Sequence, residues 1–153
     1  MIKKVFKFGG ASVKDADSVR NLKSIIERED RDNLLIVISA MGKTTSIIEK
    51  TLKLFRDNDG HLEITALREL MCYHEDIMTD LFKGNTQHPV FDTVANIFID
   101  LFCNLQETGF QYDYQYDQTV SFGEVLSTTI ISAFLNYNGI KNTLLDARDY
   151  IIT

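Results

Sequence analysis

Apolar and polar positions in this chain follow two periods, and the switches between them mark out the elements. Lys3–Phe8 alternates as a short strand and is broken by Gly9-Gly10. From about Ala16 to Glu29 the apolar positions Val19, Leu22, Ile25 and Ile26 take helical spacing, with Asp15 or Asp17 available as cap. "RDN" then turns the chain into Leu34–Ile38, five successive aliphatic residues that read as a strand covered on both faces, as in a parallel sheet. Three helical segments follow: Ile47–Arg56, Ile64–Phe82, and Val90–Gln106 after the single proline, Pro89. Gly109–Gln118, "GFQYDYQYDQ", is polar and aperiodic and reads as a loop or short irregular strand. A helix from about Ser121 to Asn138 stops at Gly139, and Asn142–Ala147, "NTLLDA", reads as a third strand.

Strand, helix, strand, helices, strand is the order of an α/β layer fold with a largely parallel sheet and helices on both faces. No repeat, low-complexity stretch or linker divides residues 1–153. Three strands for four or five helices leave the sheet under-supplied, and "DARDYIIT" ends in an apolar run. The expectation is therefore the first part of a larger domain, with part of its apolar surface uncovered and self-association as the consequence.

Four stretches could carry chemistry. In "FKFGGAS", Lys7 shares a strand face with Val5, opposite Phe6 and Phe8, and Gly9 and Gly10 would let a ligand approach the backbone. In open α/β sheets ligands bind beyond the carboxyl ends of strands, where this cluster falls, although a glycine turn beside a solvated lysine is the plain alternative. "ISAMGKTTS", Ile38–Ser46, has the strand, Gly-Lys-Thr, helix layout of a P-loop. The glycine such a loop needs five residues before Gly42 is replaced by Val37, so the phosphate nest cannot form. Its hydroxyls, Ser39 and Thr45 among them, either meet a ligand or only cap the next helix. In "SFGE", Ser121 and Glu124 have capping-box spacing, and the alternative is a carboxylate at a helix mouth that holds a substrate ammonium. Asp146, Arg148 and Asp149 form either a ligand-side cluster or a solvated turn.

Composition narrows the classes. The 153 residues are 44% hydrophobic and 25% charged, with net charge −6, and they hold no lysine or arginine stripe of the kind nucleic acid requires. The longest aliphatic run, Leu34–Ile38, is far below the roughly 20 residues of a membrane helix. Neither a nucleic-acid nor a membrane partner is expected. Cys72 and Cys103 read as reduced, buried thiols, which together with a start lacking a signal-like apolar stretch points to the cytoplasm. His61, His74 and His88 are scattered and form no triad or metal spacing.

Taken in order, "KFGGAS", "VISAMGKTT", "SFGEVLSTTIISAFLN" and "LLDARDYIIT" resemble the amino-terminal part of the aspartokinases, within the amino-acid kinase family and its carbamate kinase-like fold. The resemblance runs from Lys3 to Thr153, with Ala11 standing where the family usually has threonine. It implies transfer of the γ-phosphate of ATP, with Mg2+, to the side-chain carboxylate of L-aspartate. By motif, Lys7 would be catalytic and would bind phosphate with Gly9, Gly10 and Ser12, while of the substrate-binding residues Ser39 and Thr45 would contact aspartate or the phosphate and Glu124 would hold the aspartate ammonium. The family's later "GRGGSD"-like segment, its adenine-binding elements and its ACT domains have no counterpart in these residues, so the isolated chain is expected to be inactive. Alternatives are a relative acting on glutamate, acetylglutamate or UMP, or a non-catalytic binding or assembly module.

Overall fold

Phe6 and Phe8 on one strand and Ile36 and Ile38 on another give the fold its inward sheet face. In the computed structural model, which describes residues 2, 4–30, 33–57 and 64–150, these belong to β1 (Lys4–Phe8) and β2 (Leu34–Ile38). The strands pair in parallel, with Lys4 opposite Leu34, Phe6 opposite Ile36 and Phe8 opposite Ile38. A parallel pair needs a crossover, here α1 (Ala16–Glu27), which buries Ala16, Val19, Leu22 and Ile26. Asp15 starts that helix by accepting the Ser18 amide at 2.8 Å, and the Ser18 side chain, with this amide second, holds its carboxyl below the ordinary carboxylate range.

The helices α2 (Thr44–Asp57), α3 (Ile64–Leu81), α4 (Val90–Leu105), α5 (Tyr112–Val120) and α6 (Phe122–Tyr137) build the rest of the core. Phe82 is fully buried among Phe91, Phe134 and Tyr137. On the outside, Arg20 of α1 forks onto Asp80 of α3, with its closest contact at 2.6 Å. No helix among the described residues is long and apolar enough to cross a membrane.

The expected parallel α/β class holds, with three corrections. First, Asn142–Ala147 does not pair, so the sheet has two strands among the described residues. Asn142 is held instead by Ser132 and Asn136 at the end of α6, and Leu144 and Leu145 stand 46% and 50% exposed. Second, β2 is not covered on both sides. The face of Val5, Leu35, Lys7 and Val37 has no helix sealing it among the described residues, and Val5 and Val37 are 59% and 42% exposed. Third, "GFQYDYQYDQ" supplies a helix, α5, rather than a loop. Its buried residues are Gln115 and Thr119, and polar side chains carry the packing. Gln115 donates to the Asn104 and Glu107 carbonyls at 3.2 and 3.0 Å, and Thr119 donates to Asn104 Oδ1 at 2.6 Å. Cys72 and Cys103 are also corrected: both thiols are free but exposed.

Candidate active site

Beyond Phe8 and Ile38 the ladder continues for one more bond, Ser39 N–H to the Phe8 carbonyl at 3.0 Å, and then both strands give way to loops. The first loop closes as a 3₁₀ turn over Gly10–Val13, with the Ser12 amide on the Gly9 carbonyl at 2.8 Å. The second, Ser39–Lys43, lies directly against it, and the Gly42 amide donates to the Gly10 carbonyl at 3.2 Å. A methyl group on Gly10 would stand 2.7 Å from the Ala40 carbonyl oxygen, so only glycine allows this approach. Gly42 adopts φ +54°, the left-handed region that favours glycine.

Met41 anchors the second loop from below as a fully buried side chain. Thr44, also buried, donates its hydroxyl to the Met41 carbonyl at 2.6 Å, so it does not act as an accepting N-cap. Two neighbouring residues of α3 hold the loops from behind. The Tyr73 hydroxyl donates to the Lys14 carbonyl at the end of the first loop and abuts Gly42. Burial pushes that phenol up, with the Asp15 carboxylate adding to the effect. His74 is fully buried, with Nδ1 2.8 Å from the Leu70 carbonyl and Nε2 3.5 Å from the Thr44 hydroxyl. Burial lowers its pKa, and the bond to the Leu70 carbonyl opposes that only in part.

The third stretch arrives through Gly123. A methyl group there would lie 2.9 Å from Ala40 Cβ, 3.3 Å from Thr45 Oγ1 and 3.5 Å from Thr44 Cγ2. Gly123 therefore serves the approach of the head of α6 to the Ser39–Thr45 loop. The Ser121–Glu124 capping box does not form: Ser121 has helical backbone angles and donates its hydroxyl to the Gln118 carbonyl at 2.8 Å. The exposed Glu124 carboxylate has no hydrogen bond among the described residues, whereas its backbone carbonyl accepts from Ser127 and Thr128.

Ser39 and Thr45 thus lie half-buried between the two glycine contacts, and Gly9, Ser12 and Glu124 are exposed around them. Lys7 is one residue short of the end of β1, exposed opposite Val37 on the open sheet face, with no ion-pair partner among the described residues. Asp146 and Arg148 prove to be a self-contained turn. The guanidinium grips its own Asp146 at 2.6 Å and lies over the Phe122 ring, which holds the aspartate carboxyl low and Arg148 high. The contributions of Tyr73 and His74 to loop packing have no signature in spacing, because they depend on which helix faces meet. No cluster of three or more His, Cys, Asp or Glu suited to a metal occurs among the described residues. Nothing here cages Mg2+, which commonly binds through nucleotide phosphates and one or two carboxylates instead.

A parallel βαβ unit with glycine loops beyond the carboxyl ends of its strands is where open α/β folds take their ligands. The sequence profile of the Amino acid kinase family matches residues 3–152, and the chain belongs to that family. It is 28% identical over 97% of its length to bifunctional aspartokinase/homoserine dehydrogenase 2 of Escherichia coli, covering 18% of that protein. It is 32% identical over 94% of its length to chloroplastic aspartokinase 1 of Arabidopsis thaliana, covering 25% of it. Among solved structures, E. coli aspartokinase III in complex with aspartate and ADP superposes with a TM-score of 0.72 at 21% identity, over 91% of this chain and 30% of that one. At that identity the likeness speaks for the fold alone. The chain spans about a fifth to a quarter of the length of these curated relatives.

Proposed function

We propose that this chain is the amino-terminal portion of an aspartate kinase catalytic domain, with the carboxyl-terminal half and the regulatory ACT domains supplied by further chain. The observation that carries this reading is the convergence of three separate motifs on one sheet edge through Gly10, Gly42 and Gly123. The aspartokinase relatives support the choice of reaction.

In this reading the γ-phosphorus of ATP is attacked by a carboxylate oxygen of L-aspartate. The bond to the β–γ bridging oxygen breaks, and ADP and 4-phospho-L-aspartate leave. Such transfer asks the protein chiefly for positioning and charge stabilisation. Lys7 would balance charge on the moving phosphoryl group, and the amides of Gly9 and Gly10 with the exposed Ser12 hydroxyl would face the phosphates. Ser39 and Thr45 would position the aspartate, and the unengaged Glu124 carboxylate would receive its ammonium group. Mg2+ would enter with the nucleotide. The compartment in this reading is the cytoplasm, and the open Val5–Val37 face would support association between copies.

The test is hydroxamate trapping of acyl phosphate on the whole protein that carries this chain, with MgATP and L-aspartate. Aspartyl hydroxamate that disappears in Lys7→Ala is expected. Product with glutamate or acetylglutamate, or ADP release with UMP and none with aspartate, would move the chain to another branch of the family. No turnover with any acceptor would leave a binding or assembly module.

A further inference from the structure

Behind the Ser39–Lys43 loop, α2 and α3 diverge to leave a cleft of about 640 Å³, within the range of small-molecule sites. Its floor is apolar, from Ile47, Leu54 and Leu70. Its polar lining has one dominant sign: Lys14, Lys43 and Lys50 line it against the single carboxylate of Glu69. The three lysines come from both glycine loops and from α2, and none has an ion-pair partner among the described residues. Lys43 and Lys50 are seven residues apart, two helical turns, and therefore share a face. In a chain of net charge −6 with 22 acidic residues, three lysines around one apolar cleft, of which, among the described residues, only Lys14 has a second carboxylate, Asp15, beside it, are a local reversal of the overall charge.

The cleft also touches the site described above. Gly42, Lys43 and Thr44 form one wall of it and the lower half of the Ser39–Thr45 loop as well, while Tyr73, which braces both loops, closes one end. A molecule held by Lys14 and Lys43 would bear on the backbone that meets Gly10.

We propose that this cleft is a second small-molecule site, separate from the sheet edge, which takes an organic anion with an apolar body such as an aryl or alkyl phosphate. Binding at the cleft does not depend on the kinase reading; its effect on the loop as a substrate loop rests on that reading.

Phenyl phosphate is the probe, titrated into the chain and followed by ¹H–¹⁵N correlation spectra. The expected result is saturable shifts at Gly42, Lys43, Thr44, Lys50 and Tyr73, with apparent affinity reduced at least ten-fold in the Lys43→Ala/Lys50→Ala double variant. Both side chains are exposed, so the variant keeps the fold, which its unchanged spectrum away from the cleft would show. Phenol and trimethylphenylammonium should leave the cleft resonances where they are. Amide exchange at Gly42–Thr45 should slow when the cleft is filled. The inference is overturned if the probe causes no shifts, if the double variant binds it as tightly as the parent, or if the shifts centre on Gly9–Ser12 and vanish in Lys7→Ala. That last result would put the phosphate at the sheet edge and favour the kinase reading while removing the cleft. Hydroxamate trapping tests the kinase reading separately, so either idea can fail without the other.

Discussion

Gly10→Ala should loosen the two glycine loops, and the structure says by how much. The added methyl would stand 2.7 Å from the Ala40 carbonyl oxygen and 3.2 Å from that of Gly42. An ordinary carbon–oxygen contact is about 3.3–3.6 Å, so the loops must part by more than half an ångström. Both obstructing atoms are backbone, so no side-chain rotation relieves the contact. Overpacking of this kind costs roughly 1–3 kcal/mol, and weakening the 3.2 Å bond from the Gly42 amide to the Gly10 carbonyl adds about 1. Restricting the unfolded chain returns about 0.4–1 kcal/mol, which leaves a net loss of about 2. Gly9→Ala is the control. Gly9 has φ −75°, and nothing lies within 4 Å of where its methyl would go. Its stability should therefore match the parent or rise slightly. Urea denaturation followed by far-ultraviolet circular dichroism, with equal slopes, would give both values. A Gly10→Ala midpoint equal to the parent's, or an equal loss in Gly9→Ala, would refute the claim that these loops meet backbone to backbone.

Three further outcomes are expected. Gly123→Ala should leave global stability nearly unchanged, because alanine's helix preference, about 1 kcal/mol, offsets the crowding of Ala40. In the aspartate kinase reading, L-aspartate affinity of the whole protein should nevertheless fall about ten-fold, or 1.4 kcal/mol, as the head of α6 is displaced, and Ala40→Gly should restore much of it in a calorimetric titration. Because burial lowers the His74 pKa below its ordinary 6.5, the unfolded chain takes up the proton first. Stability should therefore fall as pH drops through 6.5 towards the lower folded value, and Tm measured from pH 7.5 to 5 should lose much of that slope in His74→Gln. Thr119→Val should cost about 1 kcal/mol by removing the hydroxyl shared between Asn104 Oδ1 and the Gln115 carbonyl, read as a shift in the urea midpoint. No change there would mean that α5 does not dock through its polar stripe.

What could be read in the sequence was whatever the apolar period controls. α1, α2, α3, α4 and α6 bury apolar stripes as their spacing predicts, and β1 and β2 turn Phe8, Ile36 and Ile38 towards that core. α5 was illegible because Gln115 and Thr119 do the work that leucines do elsewhere, and a polar stripe leaves no trace in a hydrophobic period. Leu144 and Leu145 misled in the opposite direction, since a strand also needs a neighbour to pair with, and none of the described strands lies beside them. At the site, each motif could be seen singly and the contacts could not. Ser121 and Glu124 had the spacing of a capping box, yet the helical backbone at Ser121 turns its hydroxyl towards the Gln118 carbonyl.

The contacts that join the loops are made by Gly10, Ala40, Gly42 and Gly123, residues with no side-chain rotamers to lose. A ligand arriving at this edge therefore meets a surface whose conformational freedom was spent during folding. In the aspartate kinase reading, the ordering still to be done falls on Lys7 and Glu124, two long exposed chains. At about 0.5–1.5 kcal/mol for each immobilised side chain, that entropy amounts to a difference of several-fold or more in affinity. Whatever restrains those two chains beforehand would tighten binding without adding a single new contact to the ligand.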